Sequence, residues 1–398
     1  MRELRLSHPD QAGLRAFLAE LVQTPSPSGQ EEQLAARICA EMQRLGLRDV
    51  RTDRIGNVVG WVGPGRGGPV LMLNAHMDTV AVTDLAAWQH APFGAEVERG
   101  TLYGVGACDM KGGLAAMVYA ARLLATAGLP LQGDVVVACV VQEEPCEGLG
   151  SRVLIEEEGV RPDWVVLGEP TDLQVARGHR GRLELRIAVH GRSAHAACPQ
   201  LGENAIYGAA RLVFGLEMVA AQAAEDSFLG PGTLAVTDIG SRSASRNAIP
   251  DRCELIVDRR LTLGETELKS LAEVQRVITR EGVHAEVSVH ECEGTSYTGY
   301  PYRVRASYLP WVIAEDHPLV NAAVCALRGQ LKRRPRVTRC DFSTEGVYTA
   351  GNAGIPTIVL GPGDPRRAHT VDECIKLSDV TAAAEGYARL AWELLKPE

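Results

Sequence analysis

Several features that would assign a chain of 398 residues to a common class are missing from this sequence. None of its ten cysteines forms a C-x-x-C pair, which excludes the usual structural zinc site, and their scatter is typical of reduced thiols rather than of a disulfide framework. No run of about 18 to 20 apolar residues could span a membrane. The N-terminal residues also lack the continuous apolar stretch of a signal peptide. We therefore expect a cytoplasmic protein with no membrane segment.

An excess of positive charge is missing as well. The formal net charge is −9, which argues against nucleic acid or an anionic membrane as the main partner. The chain contains 45% hydrophobic and 23% charged residues, which are ordinary values for a globular protein with a sizeable core. Its length indicates about two domains, and no internal repeat is present.

Short apolar runs alternate with helical patterns along much of the chain. Residues 10–46 have helical periodicity with a Pro/Gly break, and the apolar runs lie at 69–73, 135–141, 164–167 and 357–360. This alternation predicts an α/β fold with a mixed sheet covered on both faces. From about residue 180 to residue 293 the strands instead alternate apolar and polar residues, which indicates an inserted second α/β domain. The first domain then comprises residues 1–179 and 294–398.

Residues that can bind metal ions follow the apolar runs, and a glycine-rich turn and a late loop supply more. They are His76, Asp78, Asp109, Glu143, Glu144, Glu169 and His369. Because ligands of such sheets bind beyond the carboxyl ends of the strands, we expect these side chains to meet at one site.

Each of these residues alone is weak evidence for a metal site. His76 and Asp78 could form a structural pair, and Glu143 with Glu144 could begin a solvated loop. The turn that precedes Asp109 contains Gly104-x-Gly106, which is part of the pattern of a dinucleotide-binding loop. However, it lacks the third glycine and places an acid where pyrophosphate would bind.

The combination is more informative than its parts. Two histidines and three carboxylates suit two divalent ions, with Asp109 shared between them. Two such ions can bind a water and a carbonyl oxygen together and lower the pKa of the water. A carboxylate outside the ligand set, for which we choose Glu143, can then carry the proton to a leaving nitrogen.

The chain resembles the M20 metallopeptidases and deacylases, which include carboxypeptidase G2-like enzymes, acetylornithine deacetylase, succinyl-diaminopimelate desuccinylase and aminoacylase. The resemblance rests on an ordered series of blocks: NAHMDTV, LYGVGACDMKGG, VVQEEPCEGLGS, LGEPT, GRSAHAACPQLGENAI, RNAIPDRCELIVDRR and AHTVDE. The stretches RCDFSTEG and RGHRGRLEL are most similar to the YgeY-type branch of this family. The resemblance implies that residues 180–293 form a lid and dimerisation domain.

The resemblance also implies roles for individual residues. One ion would bind His76, Asp109 and Glu169, and the other would bind His369, Asp109 and Glu144. Asp78 would orient His76, and Glu143 would be the general base. The ions are expected to be zinc, although cobalt or manganese suits the same donors.

Further residues are implied to bind the substrate. His195 would reach the active site of the partner in a homodimer and stabilise the oxyanion. Asn247 and Arg260 would bind a substrate carboxylate, although Arg260 could instead pair with Asp258. The remaining implied contacts are the hydroxyl groups of Ser343 and Thr344.

The expected reaction is hydrolysis of an amide bond next to a free carboxylate. A carboxypeptidase or dipeptidase and an N-acyl amino acid deacylase share this chemistry, so the sequence leaves both open. A non-enzymatic relative that only binds metal or ligand is a distant alternative, and a nicotinamide oxidoreductase is another. Cys108 and Cys198 lie close to site residues in the sequence, and we assign them no role.

Overall fold

A computed structural model describes residues 4–221, 224–331 and 334–397. It is a mixed α/β structure, which confirms the predicted fold class. The contacts divide the chain into two compact units, which we call unit 1 (Met1–His179, Glu293–Tyr302 and Val312–Glu398) and unit 2 (Arg180–Cys292 and Arg303–Trp311). Unit 2 therefore includes the segment Arg303–Trp311, which the sequence prediction placed in the first domain.

The described α-helices are α1 (His8–Gln23), α2 (Glu32–Arg44), α3 (Gly112–Thr126), α4 (Leu149–Arg152), α5 (Ala205–Ala220), α6 (Glu267–Arg280), α7 (Pro318–Leu331) and α8 (Leu377–Leu395). The described strands are β1 (Arg48–Thr52), β2 (Val58–Val62), β3 (Val70–His76), β4 (Val97–Glu98), β5 (Thr101–Tyr103), β6 (Asp134–Val140), β7 (Trp164–Leu167), β8 (Val175–His179), β9 (Gly181–His190), β10 (Glu225–Asp226), β11 (Gly230–Pro231), β12 (Thr233–Arg242), β13 (Arg252–Leu261), β14 (Ala285–Val289), β15 (Glu291–Thr295), β16 (Pro301–Arg305), β17 (Ser307–Tyr308), β18 (Trp311–Val312), β19 (Val337–Cys340), β20 (Thr357–Val359) and β21 (Cys374–Lys376).

The main sheet of unit 1 runs in the order β1-β2-β6-β3-β7-β20-β8, and β19 also pairs with β8. Strand β3 is parallel to both β6 and β7, and β7 is parallel to β20. All seven residues of β6 are buried, as expected for a central strand covered on both faces. Helix α3 packs against the sheet and against α8, and nearly all of its residues are buried.

Unit 2 contains an antiparallel sheet in the order β12-β13-β9-β14, with β17 also paired to β9. Residues of β9 alternate between buried and half-buried, because one face of the sheet packs against α5 and α6. The sequence patterns predict strands at 182–189, 254–261 and 285–290 and helices at 204–219 and 266–281, and the observed elements agree to within about two residues. The ten-residue strand β12 was not predicted.

Among the described helices, none combines the length and the apolar content that a membrane-spanning helix needs.

Candidate metal centre

Three parallel strands end at the same edge of the unit 1 sheet and carry the first donors to it. Strand β3 ends on His76 itself, Glu144 follows β6, and Glu169 follows β7. Because β6 and β7 flank β3 in parallel register, the residues that follow them lie on either side of His76. The sheet topology therefore explains why residues far apart in the sequence meet here.

Asp109 reaches the site from an irregular turn at residues 107–111, directly before α3. Gly106 in this turn has a φ of 76°, and a Cβ atom on it would lie 2.6 Å from Cγ2 of Thr79. Only glycine therefore fits this position without displacing a neighbour. The turn brings the backbone back so that the Asp109 carboxylate faces His76.

The five donors form two histidine–carboxylate sets that share Asp109. In the first set, Nε2 of His76 lies 3.1 Å from Oδ1 of Asp109 and 3.8 Å from Oε1 of Glu169. In the second set, Nε2 of His369 lies 3.1 Å from Oε1 of Glu144 and 3.4 Å from Oδ2 of Asp109. Each oxygen of Asp109 thus faces a different histidine, as a bridging ligand requires. The structure brings together all five residues that were predicted to bind metal.

The electrostatics of the cluster fit cations. Burial raises the pKa of the Glu169 carboxyl well above its ordinary value, and the charge of Asp109 adds to this effect. Burial alone would lower the pKa of His76, but the charges of Glu169 and Asp109 outweigh it and raise this pKa well above its usual range. The hydrogen bond with Glu144 raises the pKa of His369 to about 9. Negative charge is therefore in excess, and nitrogen and oxygen donors of this kind suit divalent zinc, cobalt or manganese.

Asp78 is fully buried beside His76, but it contacts the ring differently from the expectation. Nδ1 of His76 lies 2.8 Å from the backbone oxygen of Asp78 and 3.7 Å from its carboxylate. The carboxylate instead accepts hydrogen bonds from the backbone N–H groups of Glu143 and Glu144, both at 3.1 Å, and from the hydroxyl of Ser28. Asp78 therefore orients the histidine through its main chain and holds the Glu143–Glu144 loop through its side chain.

A family model described as peptidase family M20/M25/M40 matches residues 72–393, which is well over half of the chain. The chain belongs to this family. The resemblance recognised from the motifs is therefore confirmed, and the M20 protein is a hydrolase.

Similar proteins cover nearly the whole M20 chain. YgeY of Escherichia coli strain K12, described as uncharacterized, is 38% identical over 389 residues, which are 98% of this chain and 96% of YgeY. The succinyl-diaminopimelate desuccinylase of Alkalilimnicola ehrlichii is 27% identical over 390 residues, covering 96% of this chain and 97% of that enzyme. The YXEP protein of Bacillus subtilis, described as a dinuclear metal binding peptidase from the M20 family, has the same fold: its crystal structure superposes with a TM-score of 0.69 at 17% identity and covers 98% of this chain and 99% of its own.

Three residues that the M20 resemblance assigns to the substrate lie in unit 2. His195 is exposed, and its Nδ1 accepts a hydrogen bond from the backbone N–H of Ala197, so the neutral ring carries its proton on Nε2. Asn247 is close to it, because its backbone oxygen accepts from the N–H of Ala196. The Nε group of Arg260 donates to Asp258 at 2.7 Å, the pairing that was considered as its alternative role.

The other two assigned residues of the M20 chain are buried in unit 1. The side chain of Thr344 is buried. Its hydroxyl lies 3.0 Å from Nε2 of His179 and accepts a hydrogen bond from the N–H of Gly346. Ser343 is also buried. The predicted contacts of Ser343 and Thr344 with a substrate stay predictions.

Sequence reasoning missed two residues that support the M20 site. Ser28 donates to Asp78, and Glu373 accepts hydrogen bonds from the backbone of the turn that carries Asp109. Glu373 lies in the quoted block AHTVDE, so the family pattern contained it, but no residue pattern shows that a carboxylate accepts from main-chain N–H groups.

Proposed function

We propose that this M20 hydrolase is a dinuclear metal enzyme that cleaves an amide bond next to a free carboxylate. The observation that carries the proposal is the shared Asp109, whose two oxygens face two different histidines at 3.1 and 3.4 Å. Each histidine has a further carboxylate beside it, so the chain supplies two equivalent half-sites.

His76, Asp109 and Glu169 would hold one ion, and His369, Asp109 and Glu144 would hold the other. We propose zinc for both, because two imidazoles and three carboxylates suit it. When bound, the ions would polarise the substrate carbonyl and lower the pKa of the attacking water.

Glu143 is the proposed general base. Its side chain is buried, and burial raises the pKa of its carboxyl well above the ordinary value. Within the described residues this carboxylate makes no hydrogen bond or ion pair, so it remains available for a proton. Glu143 would take a proton from the attacking water and pass it to the leaving nitrogen. Asp78 would position Glu143 through the hydrogen bond from its backbone N–H.

The substrate class has two candidates. A carboxypeptidase or dipeptidase activity is our first proposal, since the YXEP protein is described as a peptidase. An N-acyl amino acid deacylase is the alternative, supported by the similarity to a desuccinylase along the whole chain. Asn247 and Arg260 would bind the carboxylate of either substrate, and Ser343 and Thr344 are further proposed contacts.

We further propose a homodimer in which His195 acts in the site of the partner subunit. Two features of unit 2 support it. Tyr207, Phe214 and Met218 follow one another on one exposed face of α5, and β12 is an edge strand of its sheet. An exposed apolar stripe beside a free sheet edge suits self-association around a two-fold axis. Cytoplasmic localisation stays a prediction.

Hydrolysis of a mixed panel of dipeptides and N-acyl amino acids, with and without a chelator and added zinc, tests the proposal. We expect release of free amino acids that the chelator stops and zinc restores. Preference for dipeptides or for N-acyl substrates then decides between the two candidates. Absence of turnover from a protein that holds two equivalents of metal would contradict the proposal and favour a metal-binding relative without activity.

A further inference from the structure

Glu373 is a buried carboxylate that lies outside the proposed ligand set. The residue is 2% exposed, and its carboxylate accepts three hydrogen bonds from backbone N–H groups of one turn. The donors are Gly106 at 3.0 Å, Cys108 at 2.8 Å and Asp109 at 2.9 Å. The turn that carries Asp109 is thus wrapped around a single carboxylate.

These three N–H groups depend on Glu373 for their hydrogen bonds. The turn is not a regular helix, because Asp109 has φ −119° and ψ 96° directly before α3. Buried N–H groups outside regular structure must find an acceptor elsewhere, and a carboxylate is a strong one. Without it, the backbone at Asp109 would lose the contacts that fix the direction of its side chain.

Glu373 also connects this turn to the second histidine. His369 lies four residues before Glu373 on the same loop, and the backbone oxygen of Glu373 accepts from the N–H of Gly104 at 2.9 Å. Asp372 fastens the loop further, since its carboxylate accepts from the N–H groups of Gln89 and His90. The loop that carries His369 and the turn that carries Asp109 are therefore tied together at Glu373.

We propose that Glu373 is a positioning residue for the metal centre: it fixes the bridging carboxylate of Asp109 relative to His369 and so sets the affinity for the two ions. This inference rests on the proposed function. Partners that orient metal ligands typically change metal affinity by about 10- to 100-fold when they are replaced. Its side chain touches neither the ions nor the substrate in this role.

Asp53 offers a matched control in the same unit. It is also buried, and its Oδ1 accepts from the backbone N–H groups of Ile55, Gly56 and Asn57 at 3.1, 2.9 and 2.8 Å. Its turn lies between β1 and β2 and carries none of the proposed ligands. Glu373→Gln and Asp53→Asn therefore each replace a buried carboxylate that accepts from backbone N–H groups by a neutral amide, one beside the centre and one away from it.

The experiment compares zinc binding of the wild-type protein, Glu373→Gln and Asp53→Asn by equilibrium dialysis with elemental analysis, and follows thermal unfolding of each metal-free protein. We expect both variants to unfold at lower temperature, but only Glu373→Gln to bind zinc about 10- to 100-fold more weakly. Wild-type zinc affinity in Glu373→Gln, or an equal loss of affinity in Asp53→Asn, would overturn the inference.

Glu373→Asp covers the case in which Glu373→Gln does not fold. It keeps the charge but shortens the side chain by one methylene group, so that the carboxylate no longer reaches the turn, and we expect it to bind zinc at least about tenfold more weakly than the wild type. Unchanged affinity in a folded Glu373→Asp would again overturn the inference. A wild-type protein that binds no zinc would instead contradict the proposed function.

Discussion

At the scale of single residues, the carboxylates around the centre differ in what surrounds them. Those of Asp109, Glu144 and Glu169 lie within 4 Å of a histidine nitrogen, whereas Glu143 has no ion pair within the described part of the chain. The carboxylate of Asp78 already accepts hydrogen bonds from two backbone N–H groups and a serine hydroxyl. This difference in surroundings is the physical basis for giving metal binding to three acids and proton transfer to one.

Replacement of Glu143 by alanine separates these roles. We expect kcat to fall by about 10²- to 10⁴-fold, the usual contribution of a general base, while the metal content stays normal. Glu144→Ala is the matched control, because it should lose bound metal as well as activity. Steady-state kinetics and elemental analysis on both variants measure the two effects. Full activity of Glu143→Ala would contradict the proposed mechanism.

Glu31 gives a prediction for pH. It is fully buried, and burial together with the charge of Asp78 raises its pKa from 4.5 to about 7. The folded state thus holds this proton more tightly than the unfolded state does. The stabilisation is complete below pH 4.5 and is lost as the pH rises through about 7.

We therefore expect Glu31→Gln to raise the unfolding temperature at pH 8 and to flatten its pH dependence between 5 and 8, on the order of a few degrees. Thermal unfolding of both proteins across this range measures the effect. Parallel profiles for the two proteins would show that Glu31 does not titrate in this range.

Prediction from the sequence succeeded for residues whose position follows from a strand end. His76, Glu144 and Glu169 belong to this group, because periodicity locates the strands and the parallel order brings their ends together. It did not find contacts in which a side-chain carboxylate accepts hydrogen bonds from the main chain. Asp78 and Glu373 accept from backbone N–H groups, and the geometry of those turns is not encoded in residue types.

At the scale of elements, α5 combines two environments on one helix. Leu212 and Leu216 are buried in the core of unit 2, whereas Phe214 on another face is 70% exposed. The periodicity of the helix was sufficient to predict its bounds, because the buried face repeats regularly. It could not predict that Phe214 stays exposed, because apolar residues occur on both faces of the helix and only the packed fold shows which face is buried.

Phe214→Glu tests this face. We expect the variant to be monomeric and, if His195 acts in the partner, to lose about 10²- to 10³-fold in kcat, the usual effect of removing one group that stabilises the oxyanion. Leu268→Glu on α6 is the matched control, since Leu268 is 77% exposed but lies on a different helix. Sedimentation velocity reports the oligomeric state. A dimeric Phe214→Glu protein would show that this face of α5 is not the dimer interface.

The strand β17 is an element that the sequence pattern could not predict. It has two residues, Ser307–Tyr308, and pairs with β9 more than a hundred residues earlier, at Leu183 and Arg182. So short a strand has no periodicity, and its partner is set by the tertiary fold. This is why the segment Arg303–Trp311 was assigned to the first domain although it belongs to unit 2.

At the scale of the whole molecule, metal removal should lower stability. The centre contains buried carboxylates whose mutual repulsion bound ions would relieve. A ligand at a concentration of about a thousand times its Kd raises the free energy of unfolding by about 4 kcal/mol. We expect a chelator to lower the unfolding temperature by about 5 to 10 °C. Scanning calorimetry measures it, and Asp109→Asn should show no such difference. Unchanged unfolding after verified metal removal would argue against ions at this cluster.

The donors of the centre begin at His76 and end at His369, and β20, which lies between β7 and β8 in the sheet, is contributed by residues 357–359. A nascent chain leaving the ribosome therefore has neither a complete sheet nor its second imidazole until synthesis has passed His369. Chains that terminate before this residue cannot assemble both half-sites. Binding of both proposed ions would consequently require synthesis and folding through His369, so metal stoichiometry would report whether this loop has reached its place in the fold.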